Sequence, residues 1–364
     1  MNEEVFNYIN LYDLLKYENS NNYKFISQQK KLCSFHYDNN KHYKKIVENI
    51  FGLDSIKKAN IGLKDMPYIP VDLFKNYDLF STKFENIFKI IKSSGTTGNK
   101  PSRIFLDKEN ALAQNISLSK IFTDFTLLNR PRMIIADSKN TLNNKKSFSA
   151  RAAGIIGFSY LCRKPEFAFD SRMNLDISNI ENIIKDDKTK NILFFGFTYI
   201  IWLYLLKKKL PYDLRSELGK KSILVHGGGW KKLDSINITK EQFKEKVNDF
   251  LGINKSINYY GMVEQTGSIF MECEKGYLHS NPLCSIISRN PKTLKVSGLE
   301  EIGITQVISS LPTSYPGNSI LTDDLISVKG IDNCKCGRKG VYFDILGRLK
   351  ASEPRGCSDT YANQ

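Results

Sequence analysis

The sequence lacks the short motifs that would assign it to a common enzyme class. It has no G-x-x-x-x-G-K-[ST] loop and no G-x-S-x-G elbow, which excludes Walker-type nucleotide binding and the serine mechanism of lipases. Its longest apolar run, residues 192–206, is shorter than the ~20 residues that span a bilayer. We therefore expect no membrane span, and we expect this run to form a buried strand that leads into a core helix.

Charge and cysteine usage narrow the class further. The net charge of +15 comes from lysines spread along the chain, so we predict a basic surface for anionic ligands and no nucleic-acid partner. Residues 1–10 carry Glu3 and Glu4 and no apolar run, so we expect no secretory signal and a cytoplasmic protein. In that compartment the seven cysteines favour thiol or metal chemistry over disulfides.

The order of periodic patterns predicts an α/β fold. Helical patterns fill the first part of the chain, and from residue 87 apolar strand patterns alternate with helical ones, as in a layered α/β domain. The last part has short strand patterns between turns. We predict a helical N-terminal cap at residues 1–90, an α/β core at 91–300, and a β-rich C-terminal part at 301–364 that ends in a mobile tail.

The stretch SSGTTGNKP, residues 93–101, has the composition of an anion-binding loop. Gly95 and Gly98 permit positive φ, which allows successive N–H groups to point at an anion. The stretch also offers hydroxyl groups and an ammonium, from Ser93, Ser94, Thr96, Thr97 and Lys100. Because residues 88–92 and 103–106 both have strand patterns, a hairpin turn is the alternative.

Two glycine-containing segments follow predicted strands. In HGGGW, residues 226–230, Gly228 and Gly229 would let the backbone pass close to a ligand, and a structural turn is the alternative. In YGMVEQTG, residues 260–267, the aromatic Tyr260 beside Gly261 could stack on a base. Glu264 in the same segment could hold Mg²⁺, which prefers one or two carboxylates with phosphate oxygens. The alternative for Glu264 is a helix first-turn charge.

Further polar groups occur toward the C-terminus. Asp323 and Asp324, in LTDDL, are predicted to lie in a polar turn that could bind ribose hydroxyls, and Arg348, in GRLK, could contact phosphate. An ordinary turn and a surface charge are the alternatives. Cys357 beside an arginine in the tail could be a reactive thiolate or a bystander.

Cysteine and histidine spacing predicts a metal site if the fold brings distant segments together. The candidate ligands are Cys273, His279, Cys334 and Cys336. A Cys₃His set suits tetrahedral Zn²⁺.

Taken in order, SSGTTGNKP, HGGGW, YGMVEQTG, LTDDL and GRLK resemble the motifs of the adenylate-forming superfamily of acyl and aryl ligases. Within that superfamily the chain most closely resembles the LuxE family of acyl-protein synthetases. The segments that carry this closer match are HGGGWK, YGMVEQTG, ECEKGYLH, CKCGR and RGCS.

The resemblance implies the layered large domain of the adenylate-forming enzymes and an ATP-dependent reaction. A carboxylate and ATP would give an acyl-adenylate and pyrophosphate, and the acyl group would then pass to a thiol. By the family pattern, residues 93–100 would hold the triphosphate with Lys100 catalytic, Glu264 would hold Mg²⁺, Tyr260 would flank adenine, Asp324 would bind ribose, and Arg348 would contact nucleotide. Asp323 stands where the family has glycine, so the choice between the two aspartates stays open.

The resemblance also gives roles to the cysteines. Larger ligases continue after the GR motif into a small domain with a catalytic lysine, so we expect no such lysine here. Instead Cys357 would accept the acyl group and deliver it to a reductase or carrier protein. The Cys₃His set would be a closed structural zinc site, as in related phenylacetate-type ligases. A fatty acid is the expected substrate.

Two other functions are alternatives. The first is an adenylating ligase for an amino or sugar-derived acid in polysaccharide or natural-product biosynthesis, with transfer to a carrier protein or coenzyme A. The second is a nucleotide-binding protein without enzyme activity.

Overall fold

A computed structural model of the protein describes residues 23–58, 61–93, 100–142, 150–186, 191–229 and 238–349. These residues form two compact units. Unit 1 comprises the described residues up to Ile121 and from Gly261 onward, and unit 2 runs from Phe122 to Tyr260. Unit 2 is thus inserted within the sequence of unit 1.

The helices of the described residues alternate with strands in the middle of the chain. In chain order they are α1 (Tyr23–Asn39), α2 (Lys41–Ile46), α3 (Asp54–Lys57), α4 (Leu73–Asn76), α5 (Lys108–Thr126), α6 (Ala150–Ser159), α7 (Ile177–Asp186), α8 (Thr198–Tyr204), α9 (Tyr212–Lys221) and α10 (Lys240–Leu251). A π-helical turn, Val47–Phe51, continues α2, and a 3-10 turn, Val263–Gln265, precedes the C-terminal strands.

Strands occur throughout the described part of the chain. In chain order they are β1 (Ile69–Pro70), β2 (Lys89–Lys92), β3 (Arg103–Leu106), β4 (Arg132–Ser138), β5 (Arg163–Phe169), β6 (Ile192–Phe197), β7 (Ser222–Gly227), β8 (Ser256–Tyr260), β9 (Phe270–Glu272), β10 (Leu278–His279), β11 (Cys284–Arg289), β12 (Ile302–Ser309), β13 (Ser319–Ile331) and β14 (Val341–Arg348).

Unit 2 contains a parallel sheet with strand order β8-β7-β6-β4-β5. Every residue of β4 and β6 is buried, as expected for strands of a parallel sheet that are covered on both faces. The register places Phe197 opposite Gly227, and Gly227 opposite Tyr259. The carboxyl ends of three neighbouring strands therefore lie side by side at one edge of this sheet.

Unit 1 contains a mainly antiparallel sheet with strand order β11-β12-β13-β14-β10-β9. The short strand β1 adds to β13 in parallel, with Ile69 opposite Ile320. Strands β2 and β3 form a separate antiparallel hairpin. The N-terminal helices pack on the same core, because Tyr43 and Val47 belong to one buried cluster with Ile320.

Local sequence signals account for most of these elements. Helix α10 begins at a capping box, in which the Thr239 side chain accepts from the Gln242 backbone N–H at 3.2 Å, and it ends at Gly252 with φ 76°. The sequence patterns predict a helix at residues 240–251 and strands at 192–197 and 256–260, and these bounds are confirmed by α10, β6 and β8. The run of residues 192–206 is a buried strand followed by a helix, as predicted. Among the described residues, no helix is long and apolar enough to cross a membrane.

The predicted turn at LTDDL is wrong. Residues 321–325 lie inside β13, where Asp324 is opposite Arg348 of β14 and Leu325 is opposite Ile304 of β12. Two adjacent aspartates are typical of turns, but pairing on both sides holds this segment extended. The strand pattern at residues 341–345 predicts a shorter strand than β14, which continues to Arg348. The division into three sequence segments stays a prediction, because the two compact units do not test which parts fold independently.

Candidate active site

The carboxylate of Glu264 is the central group of the candidate site in unit 1. Glu264 lies in the 3-10 turn Val263–Gln265 and is 7% exposed. Two contacts hold this turn: the Tyr315 hydroxyl donates to the Glu264 carbonyl at 2.8 Å, and the Gln265 side-chain amide donates to the Gly317 carbonyl at 2.8 Å. A buried carboxylate on so rigid a turn is preorganised for a cation.

Several neighbours act on the Glu264 carboxyl group. Burial raises its pKa, while the Ser102 hydroxyl and the positive charges of Lys75 and Arg348 lower it. The opposing effects matter, because an isolated buried carboxylate would take up a proton, whereas nearby cations favour the ionised form that binds metal. Burial outweighs these neighbours, so the pKa of the Glu264 carboxyl lies above its usual range, and a bound cation would offset the cost of a buried negative charge.

The aspartate and arginine expected at the nucleotide are bound to each other. Asp324 and Arg348 lie opposite each other on β13 and β14, and the Arg348 Nε donates to a carboxylate oxygen of Asp324. The Asp324 backbone N–H donates to the Thr322 hydroxyl at 3.1 Å. Asp324 and Arg348 are distant in the sequence, and the pairing of β13 with β14 brings them together. Of the two adjacent aspartates, Asp324 is the one that is joined to Arg348.

The predicted phosphate loop connects the strands of the β2-β3 hairpin. At its base, the Ser102 backbone N–H donates to the Ser93 hydroxyl at 2.8 Å, and the Ser93 N–H donates to the Ser102 carbonyl at 3.0 Å. Lys100 is described and exposed. The other predicted phosphate ligands lie outside the described residues: Ser94, Gly95, Thr96, Thr97 and Gly98. The flanking strands are confirmed, and Ser102 at the base of the hairpin is one of the residues that lower the pKa of Glu264.

The glycine-rich segment after β7 lies at the carboxyl edge of the unit 2 sheet. Gly228 and Gly229 have φ of 89° and 75°, values that residues with a Cβ rarely adopt. A Cβ at Gly228 would also lie 2.6 Å from the Phe197 ring, whereas a Cβ at Gly229 would meet no atom within 4 Å. The close approach of the Phe197 ring therefore requires glycine at position 228. At position 229 the space beside the backbone is open.

His226 of the same segment is held in a neutral, buried state. Its Nδ1 lies 2.8 Å from the Thr198 hydroxyl, which also donates to the Gly227 carbonyl at 3.1 Å. Burial, with a smaller effect of Lys244, lowers the pKa of His226 to about 3. The imidazole therefore positions the glycine-rich backbone and does not supply a charge.

The remaining predicted nucleotide contacts follow β8. Tyr260 is half-buried at the end of this strand, and Gly261 is exposed. A Cβ at Gly261 would lie 3.0 Å from Ile269, so this backbone passes close to its neighbour. Cys357, the predicted acyl acceptor, lies outside the described residues.

The four predicted zinc ligands are brought together in unit 1. The thiol sulfurs of Cys273, Cys334 and Cys336 and a ring nitrogen of His279 all lie within 4.8 Å of one another. The Cys336 Sγ lies 3.4 Å from the His279 Nε2. Strand pairing explains the approach, because β10 pairs with β14 and both follow turns that carry cysteines.

The electrostatics of this cluster suit a metal cation. Burial, with a smaller effect of Arg338, lowers the pKa of His279 to about 4, so its imidazole is neutral at pH 7. Burial raises the pKa of the Cys273 and Cys336 thiols. Neutral imidazole is the form that binds Zn²⁺, and a cation would offset the cost of buried thiolates.

Sequence patterns missed three residues beside Glu264, namely Lys75, Ser102 and Tyr315. Lys75 lies on the short helix α4, and Tyr315 in the segment between β12 and β13. Neither stands in a motif with a recognisable spacing. Only Ser102 had a local signal, because it lies between the SSGTTGNKP stretch and β3.

The described residues fold like adenylate-forming ligases. The structure resembles an open conformation of 2-hydroxyisobutyryl-CoA ligase in complex with 2-HIB-AMP and CoA, with a TM-score of 0.67 and 13% identity over 90% of this chain and 70% of that chain. The postadenylation state of the same ligase gives a TM-score of 0.64 and 14% identity over 90% and 67%. The protein therefore has the fold of the adenylate-forming ligases, as predicted.

Sequence comparison defines the family. A family model described as acyl-protein synthetase, LuxE, matches residues 14–364. The chain is 25% identical over 344 residues to a long-chain-fatty-acid–luciferin-component ligase of Aliivibrio fischeri, covering 90% of this chain and 85% of that protein. It is 22% identical over 358 residues to the ligase of that name in Vibrio harveyi, covering 92% and 88%. The chain belongs to the LuxE family of acyl-protein synthetases, and it is an ATP-dependent, adenylate-forming acyl ligase.

Proposed function

We propose that this ligase activates a long-chain fatty acid with ATP in the cytoplasm and carries the acyl group on Cys357 to a reductase or carrier protein. The observation that carries the proposal is the buried Glu264 carboxylate with two cations and a hydroxyl acting on it, in a chain of the LuxE family. The substrate class is supported by the names of the two ligases to which the chain is similar.

In the first half-reaction, a carboxylate oxygen of the fatty acid attacks the α-phosphorus of ATP. The bond from this phosphorus to the bridging oxygen breaks, and pyrophosphate leaves with that electron pair. Negative charge builds at the α-phosphate, where preorganised cations and hydrogen-bond donors lower the barrier. We assign the triphosphate to residues 93–100, with the Lys100 ammonium contacting phosphate.

Glu264 is the residue that would hold Mg²⁺. The fit rests on a buried carboxylate whose pKa is raised by burial, so that a bound cation would stabilise its ionised form together with the charges of Lys75 and Arg348. When bound, Mg²⁺ would neutralise phosphate charge. Glu264 supplies one carboxylate on a rigid turn, and Mg²⁺ needs only one or two with phosphate oxygens and water.

The other nucleotide contacts follow the family pattern. Tyr260 flanks the adenine, and the backbone of Gly261 follows it. Asp324 accepts from the ribose hydroxyls while Arg348 holds its carboxylate in place. The backbone N–H groups at Gly228 and Gly229 approach the adenylate, with positive φ at both positions.

In the second half-reaction, the Cys357 thiolate attacks the acyl carbonyl carbon. The bond from this carbon to the phosphate oxygen breaks, AMP leaves, and a thioester forms. The acyl group then moves by thioester exchange: a thiolate of the partner protein attacks the acyl carbonyl carbon, and the Cys357 thiolate leaves. We further propose that Cys273, His279, Cys334 and Cys336 hold a structural Zn²⁺, because four protein ligands leave no open position for chemistry.

Carboxylate-dependent exchange of labelled pyrophosphate into ATP tests the first half-reaction. A panel of fatty acids of several lengths, amino acids and sugar-derived acids should give exchange with long-chain fatty acids only. If only an amino acid or a sugar-derived acid supports exchange, that acid is the substrate and the proposed fatty acid is not. Absence of exchange with every acid, despite ATP binding, would contradict the activity itself.

Acyl labelling tests the acceptor. With ATP and a radiolabelled fatty acid, the protein should gain a label that hydroxylamine releases. Cys357→Ser should abolish the label and keep pyrophosphate exchange, because only the second half-reaction needs the thiol. Cys162→Ser is the matched control, since burial raises the pKa of this thiol to about 12 and leaves it unreactive. An undiminished label on Cys357→Ser would assign the acyl group to another residue.

A further inference from the structure

Lys75 is a lysine of unit 1 that no motif includes and that lies largely buried. It stands on α4, and its side chain is 12% exposed, which is low for a lysine. Its ammonium pairs with the carboxylate of Asp72, one turn earlier, and the Asp72 side chain is 54% exposed. Most of the Lys75 side chain is thus covered by protein, whereas its partner is open to water.

The backbone that carries Lys75 is anchored to the strand that carries Asp324. Strand β1 pairs in parallel with β13, and the Val71 backbone N–H donates to the Leu321 carbonyl at 2.9 Å. Lys75 lies four positions after Val71, and Asp324 lies three positions after Leu321. Two hydrogen-bonded segments therefore bring α4 and the Asp324–Arg348 pair into one part of unit 1.

The neighbour of Lys75 connects α4 to the Glu264 turn. Phe74 is fully buried, and its ring packs edge-on against the Tyr315 ring with centroids 6.1 Å apart. The Tyr315 hydroxyl in turn donates to the Glu264 carbonyl at 2.8 Å. This packing fixes α4 against the turn, and the Lys75 charge acts on the Glu264 carboxylate.

The two cations that act on Glu264 differ in how readily they could bind a phosphate. Arg348 is bound by Asp324, and both of these side chains are mostly shielded, at 21% and 16% exposure. The Lys75–Asp72 pair has one partner that is open to water, and water weakens the attraction within such a pair. A phosphate carrying a higher charge can therefore displace Asp72 from Lys75 at low cost.

We propose that the Lys75 ammonium is a further catalytic group, which contacts the phosphate of ATP beside Glu264 and neutralises charge as the carboxylate attacks. The inference rests on the proposed function and adds a residue to it. The bonds made and broken are those of the first half-reaction: the acyl oxygen bonds to the α-phosphorus and pyrophosphate leaves. Lys75 gives and takes no proton in this step.

The test combines a charge-removing variant with a charge-retaining one. Lys75→Met keeps the length and apolar stem of the side chain, so the packing of α4 is preserved. We expect kcat for pyrophosphate exchange to fall about 10²-fold, the typical loss on removing one transition-state donor. Lys75→Arg should recover part of this loss. Lys58→Met is the matched control, because Lys58 pairs with Asp54 within a helical turn but its side chain is 67% exposed.

A binding measurement separates this inference from the proposed function. In equilibrium dialysis, Lys75→Met should weaken ATP binding about tenfold and leave adenosine binding unchanged, whereas a purely structural defect would weaken both. If the wild type binds ATP but catalyses no pyrophosphate exchange, the proposed function is wrong. Equilibrium dialysis would then still show whether Lys75 contacts the phosphates of ATP. Exchange by Lys75→Met within twofold of the wild type, or equal loss of ATP and adenosine binding, would overturn the inference.

Discussion

Removal of zinc is the perturbation for which the structure gives the sharpest expectation. With Zn–S bonds of about 2.3 Å and a Zn–N bond of about 2.0 Å, a tetrahedral site places sulfur and nitrogen about 3.6 Å apart. The Cys336 Sγ and His279 Nε2 are 3.4 Å apart, and all four ligand atoms lie within 4.8 Å. Zinc binding thus requires ligand shifts of about 1 Å or less, which side-chain rotations supply.

The size of the effect follows from mass action. Free Zn²⁺ at a hundredfold excess over its Kd stabilises the folded state by about 2.7 kcal/mol. In a domain of about 200 residues, 1 kcal/mol shifts Tm by about 2–4 °C, so chelation should lower the Tm of unit 1 by about 5–10 °C. Unit 1 should respond because all four ligands lie in it.

The assay is zinc quantification by a colorimetric chelator, together with thermal unfolding. We expect one zinc per chain in the wild type, loss of the metal in Cys336→Ser, and a similar fall in Tm in this variant and in the chelated wild type. Cys162→Ser, outside the cluster, should keep its zinc. Two results would refute the structural zinc site. One is a wild-type protein that contains no zinc although zinc was present in the growth medium. The other is a Tm that neither chelation nor Cys336→Ser changes.

The remaining predictions concern charge at two buried positions. Glu264→Gln should lower the rate of pyrophosphate exchange about 10²-fold, because it removes a buried negative charge without changing the shape of the side chain. Glu245→Gln, at an exposed position, is the control and should leave this rate unchanged. Equal exchange rates in the two variants would contradict the role of Glu264 in magnesium binding. Arg151→Met should lower the free energy of unfolding by about 3–5 kcal/mol, because it leaves the 1%-exposed Asp137 carboxylate without the guanidinium 3.0 Å away. Lys185→Met breaks an exposed ion pair and should lower the free energy of unfolding by less than about 1 kcal/mol. Urea titration measures both variants. Similar losses in Arg151→Met and Lys185→Met would contradict the expected difference between a buried and an exposed ion pair.

Elements with strong local signals could be predicted from the sequence. Strand β6 is a continuous apolar run, and α10 has a capping box before it and a glycine after it. In both cases the residues that define the element also define its bounds. The Cys₃His set could be proposed because three thiolates and an imidazole suit tetrahedral Zn²⁺ and because the family resemblance implies a structural zinc site.

Features that depend on pairing between distant segments could not be predicted. The adjacent aspartates of β13 have a turn-like composition, and only hydrogen bonds to β12 and β14 keep them extended. Lys75 has no local signal, because its position beside Glu264 follows from the pairing of β1 with β13 and the packing of Phe74 on Tyr315. A residue type that is common on surfaces gives no indication of such a position.

The parallel pair of β1 and β13 has a consequence for biosynthesis. Ile69 pairs with Ile320, so unit 1 cannot complete its sheet until the ribosome has translated β13. Unit 2 is continuous from Phe122 to Tyr260 and has all of its strands available earlier. Because domains fold as units during synthesis, we expect unit 2 to be folded while the N-terminal helices still wait for the strand that completes their core.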